Sequence, residues 1–291
     1  MLTNLVNLSK KNFIQGIIIK VICFFIFTAV SFYNELCGYL RMIGIGGIKY
    51  SSLKTYKGIH KDERCFIIAT GPSLTMTDLE LLKDEYTFGM NSIIKKYNET
   101  KFRPTYYGIQ DHLVYASMEK EILFWYKNAD NVFVSDRISW HSKTGKKWNI
   151  FPLNMSYNGY KRWFKNEFFS KFSDDIYRRV YSGFSVTYSL IEIAVYMGFT
   201  DIYLIGADCS WTKGMPQHFA EHGVNDITID TAAARNIAGY KAALEFSKIH
   251  GFRIYNATRG GELEVFPRVK LEDVLIKKGN DKNENCSFCP N

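Results

Sequence analysis

The short segment Thr70-Gly71-Pro72-Ser73 has the composition of an anion-binding turn. It follows the apolar run Cys65–Ala69, which is typical of a buried parallel strand, and a polar helical pattern begins behind it. A tight glycine turn between a strand and a helix leaves backbone N–H groups free, and the helix dipole favours negative charge beside them. The segment therefore predicts a phosphate-binding site.

Two histidines, His218 and His222, are the candidates for proton transfer. Imidazole titrates close to neutral pH, so either ring could accept a proton from an attacking hydroxyl group; the alternative is a pair of exposed loop histidines without a chemical role. The pair also completes the string H-x-x-E-H of inverted zinc proteases. That zinc site needs a helix, whereas Pro216 and Gly223 closely flank the pair. We therefore treat the string as a chance match and expect no metal there.

Two further segments could contribute to anion binding. Ser182 and Gly183 precede an apolar helical pattern, where the serine could cap the helix and the glycine would let a phosphate approach closely; simple capping is the alternative. Near the C-terminus, Arg259 could hold a phosphate or carboxylate with both arms of its guanidinium group. The neighbouring Gly260 and Gly261 are also typical of an ordinary turn.

The elements that must position these residues alternate between apolar strands and helices. Single helices between strands imply right-handed crossovers, so the sequence predicts an α/β fold with a doubly wound, mainly parallel sheet. The predicted strands are Cys65–Ala69, Thr87–Met90, Thr105–Ile109, Asn131–Val134, Asp201–Ile205 and Arg253–Tyr255. The predicted helices are Asp78–Leu82, His112–Tyr126, Phe184–Met197 and Thr231–His250.

Polar residues follow four of the predicted strands. Ligands of doubly wound sheets lie at the carboxyl ends of the strands, so we expect these residues to converge on one site, although each alone is also typical of a loop. They are Thr70–Ser73 after the first strand, Asn91 and Ser92 after the second, Gln110 and Asp111 after the third, and Gly206–Asp208 after the fifth.

The composition is that of a folded globular chain with an excess of positive charge. Hydrophobic residues make up 46% of the 291 residues, charged residues make up 23%, and the net charge is +8. These values exclude a disordered or fibrous chain and favour an anionic partner such as a nucleotide, an acidic glycan or an anionic lipid. Nucleic-acid-binding motifs are missing, so we expect no nucleic-acid partner. The six dispersed cysteines are typical of free thiols in a reducing compartment.

The N-terminal segment Phe13–Tyr33 is almost wholly apolar, with Lys20 as its only charge. Its length could just span a bilayer. It could also lie in the membrane interface, with flanking basic residues toward the lipid head groups, or pack on the domain as a core helix. No small-residue cleavage pattern follows it, which argues against a secretory signal. We favour membrane association, because a helix that is apolar all round must be covered.

We expect three parts along the chain. Residues 1–62 form a membrane-associated segment and linker, residues 63–276 form one nucleotide-binding domain, and residues 277–291 form a disordered tail. Within the domain, residues 137–179 fit the alternation of strands and helices poorly and are rich in aromatic and basic side chains. We therefore expect an aromatic and basic lid insertion over the site.

Several blocks, taken in order, resemble the bacterial sialyltransferases of glycosyltransferase family 42. They are residues 68–74, Asn91, Ser182-Gly183 before an apolar helix, and residues 198–208. Together with residues 107–111 and 256–268, they are even more similar to the domain shared by 6-hydroxymethylpterin diphosphokinases and motility-associated glycosyltransferases. The resemblance covers about residues 63–275 and implies a Rossmann-like nucleotide-binding transferase, which in the sialyltransferases uses a CMP-sugar without a metal.

The resemblance also implies roles for individual residues. The sialyltransferase base falls downstream of the Gly-x-Asp block, which places the base at His222 and a supporting histidine at His218. The chain departs from the sialyltransferases after this block, because no tyrosine stands near Asp208 to steady the leaving phosphate. The expected nucleotide-binding residues are Thr70, Gly71, Pro72, Ser73, Asn91, Asp111, Ser182, Gly183 and Asp208. The expected substrate-binding residues are Gln110, Trp211 and Arg259.

The function that we expect is inverting transfer of an acidic, sialic-acid-like sugar from a CMP-sugar to a surface glycan or its precursor, as in lipopolysaccharide or capsule biosynthesis. The enzyme would need no cofactor and would work at an anionic membrane surface, on the cytoplasmic face of the bacterial inner membrane; an oligomer is compatible with the sequence. One alternative is diphosphokinase-like pyrophosphate transfer from ATP, with Mg²⁺ held by carboxylates such as Asp111 and Asp208. A non-catalytic scaffold that binds a nucleotide or glycan is the second alternative.

Overall fold

A seven-stranded parallel sheet organises the chain, in a computed structural model that describes residues 13–159, 167–210, 218–224 and 229–276. Short 3₁₀ helices accompany the main elements at Ile48–Tyr56, Asn91–Lys96, Ser156–Gly159 and Ile229–Thr231. In chain order the main elements are α1 (Phe13–Met42), β1 (Arg64–Ile68), α2 (Met76–Leu81), β2 (Thr87–Met90), β3 (Tyr106–Ile109), α3 (His112–Tyr126), β4 (Val132–Ser135), α4 (Asp136–His141), β5 (Asn149–Phe151), β6 (Leu153–Asn154), β7 (Val180–Tyr181), α5 (Val186–Met197), β8 (Asp201–Ile205), α6 (Ala232–His250) and β9 (Arg253–Asn256).

The order of the strands fixes the place of the site. The sheet runs β5-β4-β3-β2-β1-β8-β9, and every neighbouring pair is parallel. The chain therefore adds strands outward from β1 to β5 and then returns to the other side of β1 with β8. This reversal leaves a crevice beyond the carboxyl ends of β1 and β8, which is where doubly wound sheets bind their ligands. The predicted α/β class and parallel sheet are confirmed.

The side chains of alternate β1 residues pack into two hydrophobic cores on opposite faces of the sheet. Cys65 and Ile67 pack into the core that contains the buried faces of α5 and α6, while Phe66 and Ile68 pack into the core that contains α2 and α3. Because β1 is buried on both faces, its sequence is a continuous apolar run rather than an alternating one. The predicted strands lie within one residue of the observed ones at each end.

The segment 137–179 is not a single insertion outside the sheet. Asn149–Phe151 forms the edge strand β5, paired in parallel with β4. Trp148 is a core residue, and its indole N–H donates to the Tyr126 carbonyl oxygen at 2.8 Å. A strand of three residues is too short for a periodic signal, which is why the sequence did not predict it. The basic and aromatic residues 160–166 and the tail 277–291 lie outside the described residues.

The N-terminal apolar segment forms the helix α1, which extends to Met42. Its stretch Gly16–Met42 has a hydropathy of 2.2, only 6% of the apolar window is buried, and by length and composition it could cross a membrane. The described part of the chain therefore does not enclose α1 as a core helix. The expected linker also differs from the structure, because Leu53 is fully buried in the core. The segment from Ile48 onward is thus part of the domain.

Candidate functional site

Two adjoining cavities lie at the carboxyl ends of the central strands. The first has a volume of about 240 Å³ and the second about 510 Å³. Five residues line both: Gln110, Asp111, Phe184, His218 and Asn236. Of the other predicted site residues, Thr70, Gly71, Pro72, Asn91 and Asp208 line the first cavity, and Ser182 and His222 line the second. The structure therefore brings most of the predicted residues together at the reversal point of the sheet.

The turn after β1 is closed against the loop after β8. The Gly71 N–H donates to the Gly206 carbonyl oxygen at 2.9 Å, and Asp208 Oδ2 accepts from the Ser73 hydroxyl at 2.9 Å and from its N–H at 3.5 Å. Pro72 has no N–H group. Gly71, Pro72 and Ser73 therefore do not offer the free N–H groups that the phosphate prediction required. Of this segment, the N–H of Thr70 alone donates to no acceptor within the described chain, so the turn is mainly a wall of the cavity.

The close fit of this turn depends on Gly71. A Cβ atom on Gly71 would lie far inside van der Waals contact of Asp208 Oδ2 and of the Gly206 carbonyl oxygen. Burial raises the pKa of the Asp208 carboxyl group, while its hydrogen bonds from Ser73 oppose that shift. Asp208 therefore ties the two loops at the reversal point together.

The N-terminus of α5 replaces the turn as the anion-binding feature. Ser185 caps this helix, and its hydroxyl oxygen accepts from the Tyr188 N–H at 3.3 Å. Ser185, Val186 and Thr187 all line the first cavity, and within the described chain the N–H groups of Val186 and Thr187 donate to no protein acceptor. Free N–H groups and the helix dipole favour a phosphate at this end of α5.

The predicted cap is therefore three residues too early. The Ser182 hydroxyl instead donates to Asn158 Oδ1 at 2.7 Å, at the wall of the second cavity. Gly183 follows with a positive φ of 47°, which turns the chain toward α5. Gly239 of α6 packs against this turn, because a Cβ atom there would lie 2.6 Å from the Gly183 carbonyl oxygen.

Backbone strain concentrates at the first cavity. Four non-glycine residues of the described chain have a positive φ, and three of them, Asn91, Phe184 and Cys209, line this cavity. Such conformations cost on the order of 1–3 kcal/mol each and persist where the surrounding structure holds them. The Tyr107 hydroxyl holds Asn91 by donating to its carbonyl oxygen at 2.7 Å. The strained residues therefore lie in the loops after β2, before α5 and after β8, and such strain is typical of ligand-binding loops.

The end of β3 contributes two polar side chains that are already partly engaged. Gln110 Oε1 accepts from the Ser189 hydroxyl at 2.7 Å, so its NH₂ group remains as a donor for a ligand. Asp111 Oδ1 caps α3 by accepting from the N–H groups of Leu113 at 2.7 Å and Val114 at 3.1 Å. Asp111 therefore has a structural role beside any role in binding.

The two histidines lie side by side, with ring centroids 4.5 Å apart. Burial lowers the pKa of both imidazoles below the usual 6.5, and for His222 the neighbouring His218 lowers it further. Both rings are therefore neutral at pH 7, the state in which an imidazole accepts a proton.

Their hydrogen bonds distinguish the two rings. His222 Nδ1 accepts from the Val224 N–H at 3.1 Å, so the single proton of the neutral ring lies on Nε2 and no nitrogen is left to act as a base. Within the described chain, neither ring nitrogen of His218 accepts a hydrogen bond, and the Thr70 backbone carbonyl favours its protonated form. The geometry therefore favours His218 as the base, with His222 beside it, which reverses the roles predicted from the sequence.

Helix α6 supplies cavity residues that sequence reasoning missed. Asn236 and Tyr240 stand four residues apart on one face of this helix and both line the first cavity. Burial raises the pKa of the Tyr240 phenol, and its hydroxyl interacts with Ser185 and Thr187 at the start of α5. The cavity thus has a tyrosine, although none stands near Asp208 in the sequence. The spacing of Asn236 and Tyr240 is the signal that could have identified them.

The predicted substrate residue Arg259 is bound away from the cavities. Arg259 Nε donates to Asp78 Oδ1 at 2.7 Å, and Arg259 also pairs with Glu272. The Asp78 carboxylate is almost fully buried, and a buried charge needs a partner, so Arg259 is bound there rather than to a ligand. Trp211 lies outside the described residues. Among those that are described, no group of three or more His, Cys, Asp and Glu side chains could hold a metal ion.

Two solved structures are similar to this chain at low sequence identity. Among solved structures, the chain is similar to the MAf glycosyltransferase from Magnetospirillum magneticum AMB-1, with 15% identity over 83% of this chain and 42% of that one and a TM-score of 0.47. It is also similar to the sialyltransferase CstII from Campylobacter jejuni, solved with CMP-3FNeuAc, with 12% identity over 71% of this chain and 86% of that one and a TM-score of 0.34. The chain spans less than half the length of the MAf protein.

The family assignment comes from the sequence profile. No curated protein sequence matches the chain significantly. Residues 46–214, more than half of the chain, match the profile of the family described as 6-hydroxymethylpterin diphosphokinase MptE-like. This span begins just before the 3₁₀ helix Ile48–Tyr56 and extends beyond β8, so it includes six of the seven strands of the main sheet. The chain therefore belongs to the MptE-like family.

Proposed function

We propose that this chain is a glycosyltransferase that moves an acidic sugar from a CMP-sugar to a hydroxyl group of a glycan. The donor would bind in the first cavity and the acceptor in the second. The observation that carries this proposal is the position of His218, which lines both cavities and whose imidazole is neutral at pH 7. A base at the boundary between two substrates is what a direct transfer between them requires.

In the proposed step, His218 takes the proton of the acceptor hydroxyl. The acceptor oxygen then forms a bond to the anomeric carbon, while the bond from that carbon to the phosphate oxygen breaks and CMP leaves with the electron pair. Attack opposite to the leaving group inverts the anomeric centre. The proton resides on the imidazolium of His218 until solvent removes it, so no metal or other cofactor takes part.

The leaving phosphate would bind at the N-terminus of α5. The free N–H groups of Val186 and Thr187 lie there, and the first cavity has no lysine or arginine among its described lining residues. Gln110 and Asn236 add side-chain amides at the boundary with the second cavity. We propose cytosine as the base of the donor nucleotide because the sequence resembles the family 42 sialyltransferases.

We place the reaction at the cytoplasmic face of the bacterial inner membrane, on a lipopolysaccharide or capsule precursor. The exposed apolar surface of α1 supports this location, since the described part of the chain does not cover it. An oligomer is compatible with this arrangement.

A thermal-shift series with the purified full-length chain tests the choice of nucleotide. We expect CMP and CMP-sialic acid to raise the melting temperature by several degrees without metal, because a ligand that binds only the folded state stabilises it. Stabilisation by ATP only when Mg²⁺ is present would instead support pyrophosphate transfer. No response to any nucleotide would support a scaffold.

Pyrophosphate transfer from ATP to a hydroxymethyl group is the second candidate, and the acidic lining of the first cavity favours it. Asp111 and Asp208 both line that cavity, and Mg²⁺ is commonly held by one or two carboxylates together with substrate phosphates. Both carboxylates already accept hydrogen bonds from the protein. They fit a metal that shares its ligands with ATP, which would supply charge neutralisation at the phosphates.

A further inference from the structure

A third cavity, of about 590 Å³, lies between α1 and the domain, and we call it the α1 cavity. One wall is formed by apolar side chains of α1, and the other by the loops around β6 and the helix α4. The α1 wall includes Ile26, Phe27, Val30 and Tyr33, and the opposite wall includes Trp140, Leu153 and Met155. This cavity is separate from the phosphate-binding end of α5.

The polar part of the α1 cavity is cationic. Arg41, Arg137 and Arg179 line it, and Asp136 is the one carboxylate among its described lining residues. Asp136 is already occupied, because it accepts from the Tyr50 hydroxyl at 3.0 Å and from the Leu153 N–H at 3.3 Å. The cavity thus has an excess of positive charge.

The arginines retain donors that no protein group uses. Arg179 is only 8% exposed; its Nη1 pairs with Glu35, but its Nε and Nη2 are buried without an acceptor in the described chain. The Nε of Arg137 is buried without an acceptor as well. Arg41 donates to the carbonyl oxygens of Tyr177 and Arg178, so its charge meets no described carboxylate. Buried donors without partners are costly, and an anionic oxygen in the cavity would satisfy them once the two guanidinium groups turn toward it.

The apolar part continues onto the surface of α1. Phe24, Phe25, Val30 and Phe32 are each exposed by 44% or more of their surface. A ligand that satisfied both parts would have an anionic head and apolar chains. Free phosphate would satisfy the arginines alone, whereas the apolar wall and the exposed face of α1 match hydrocarbon chains.

We propose that the α1 cavity binds the phosphate head group of an anionic membrane phospholipid, whose acyl chains lie along α1. Arg137 and Arg179 would donate to the phosphate oxygens, and Trp140 would lie at the level of the head groups. Met155 lines both this cavity and the second cavity of the candidate site, so the bound lipid would hold the acceptor side of the enzyme at the membrane surface. This inference does not depend on which group the enzyme transfers.

The test uses the full-length chain in a neutral detergent, titrated with dihexanoyl phosphatidylglycerol, dihexanoyl phosphatidylcholine or inorganic phosphate. We expect phosphatidylglycerol to raise the melting temperature by several degrees and the other two compounds to have little effect. An equal response to phosphatidylcholine or to inorganic phosphate would overturn the assignment to an anionic phospholipid.

Two variants test whether phosphatidylglycerol binds in the α1 cavity. Arg137→Gln removes a cationic donor, and Val30→Trp fills the apolar end with a side chain at an exposed position, so it should not disturb the core. Both should weaken the response to phosphatidylglycerol several-fold. The control Lys120→Gln, which makes the same charge change on the exposed face of α3, should leave the response unchanged. A response that both cavity variants retain would contradict the proposal. CMP stabilisation should persist in every variant, so a failure here is distinct from a failure of the proposed function.

Discussion

The protonation state of His218 determines how the proposed reaction depends on pH. Burial lowers the pKa of this imidazole below 6.5, and the base must be neutral to accept a proton. Activity should therefore remain constant as the pH falls through 6.5 and decrease only below it, when the ring takes up a proton. A profile of kcat/KM against pH measures this limb. An acid limb above 6.5 would contradict the assignment of the base.

Gly71 is the residue at which the loops of the site touch most closely. Gly71→Ala should abolish nucleotide binding, because the new Cβ atom would displace Asp208 and the Gly206 carbonyl oxygen. Gly251→Ala is the control: this glycine ends α6 with a positive φ of 72° and has open space around it. The control should lose about 1–2 kcal/mol of stability from backbone strain alone and still bind the nucleotide. Equal loss of binding in both variants, measured by titration calorimetry, would contradict this role.

At the scale of elements, Glu192 ties α5 to two extended segments. This fully buried side chain accepts from the Ser173 N–H at 2.7 Å with Oε1 and from the Tyr181 N–H at 2.6 Å with Oε2. Glu192→Leu removes both acceptors and leaves the N–H groups of Ser173 and Tyr181 without partners. The variant should lose about 1–3 kcal/mol of unfolding free energy at acidic pH, because buried donors then lack an acceptor. Glu245→Leu on the exposed surface of α6 should be nearly neutral.

The pH dependence of this effect provides its check. Burial raises the pKa of Glu192 well above its usual 4.5, so the folded protein binds the proton more tightly than the unfolded chain. Its contribution to stability is then present below 4.5 and is lost as the pH rises through the folded-state pKa. The difference between wild type and Glu192→Leu in urea unfolding should therefore shrink as the pH rises above 4.5. A difference that grows with pH would contradict the raised pKa.

The sequence predicted elements better than it predicted contacts. Strands such as Thr87–Met90 are apolar, buried on both faces and bounded by turn residues, so local pattern defines them. β5 was missed because three residues carry no period, and the cap of α5 was placed at Ser182 because Ser182 and Gly183 form the first serine-glycine pair before the apolar helix. Arg259 was assigned to a ligand because the sequence does not show its contact with the buried Asp78. The two residues are 181 positions apart in the chain, yet their side chains lie within hydrogen-bond distance.

For the candidate site, too, the sequence predicted the positions of the elements better than the contacts between side chains. The convergence of the strand ends followed from the predicted parallel sheet, since that topology places all carboxyl ends at one edge. The exchange of roles between His218 and His222 depends on the Val224 N–H, and the contribution of Asn236 and Tyr240 depends on how α6 packs against Gly183. Such contacts are tertiary, so no local pattern reports them.

At the scale of the whole molecule, the exposed apolar surface of α1 predicts membrane binding. Phe25 and Phe32 are exposed by 66% and 67%, and replacing both with aspartate would place charges where the bilayer core is expected. Each charge should cost about 2.5–3.5 kcal/mol of insertion free energy at the centre of the membrane. In flotation with phospholipid vesicles, the wild type should float with the vesicles and the double variant should not. Phe124→Asp on α3, exposed by 78%, is the control and should float like wild type; equal flotation of all three proteins would contradict an anchoring role for α1.

In the proposed reaction one base, His218, lies between a donor cavity and an acceptor cavity. The release of CMP from CMP-sialic acid, with membrane glycolipids of the source cells as acceptors, measures that claim most directly. We predict that wild type releases CMP together with a glycolipid product, that His218→Asn slows release by about 10²–10⁴-fold, and that His222→Asn remains within about tenfold of wild type. Absence of CMP release by the wild type, or a loss confined to His222→Asn, would contradict the account.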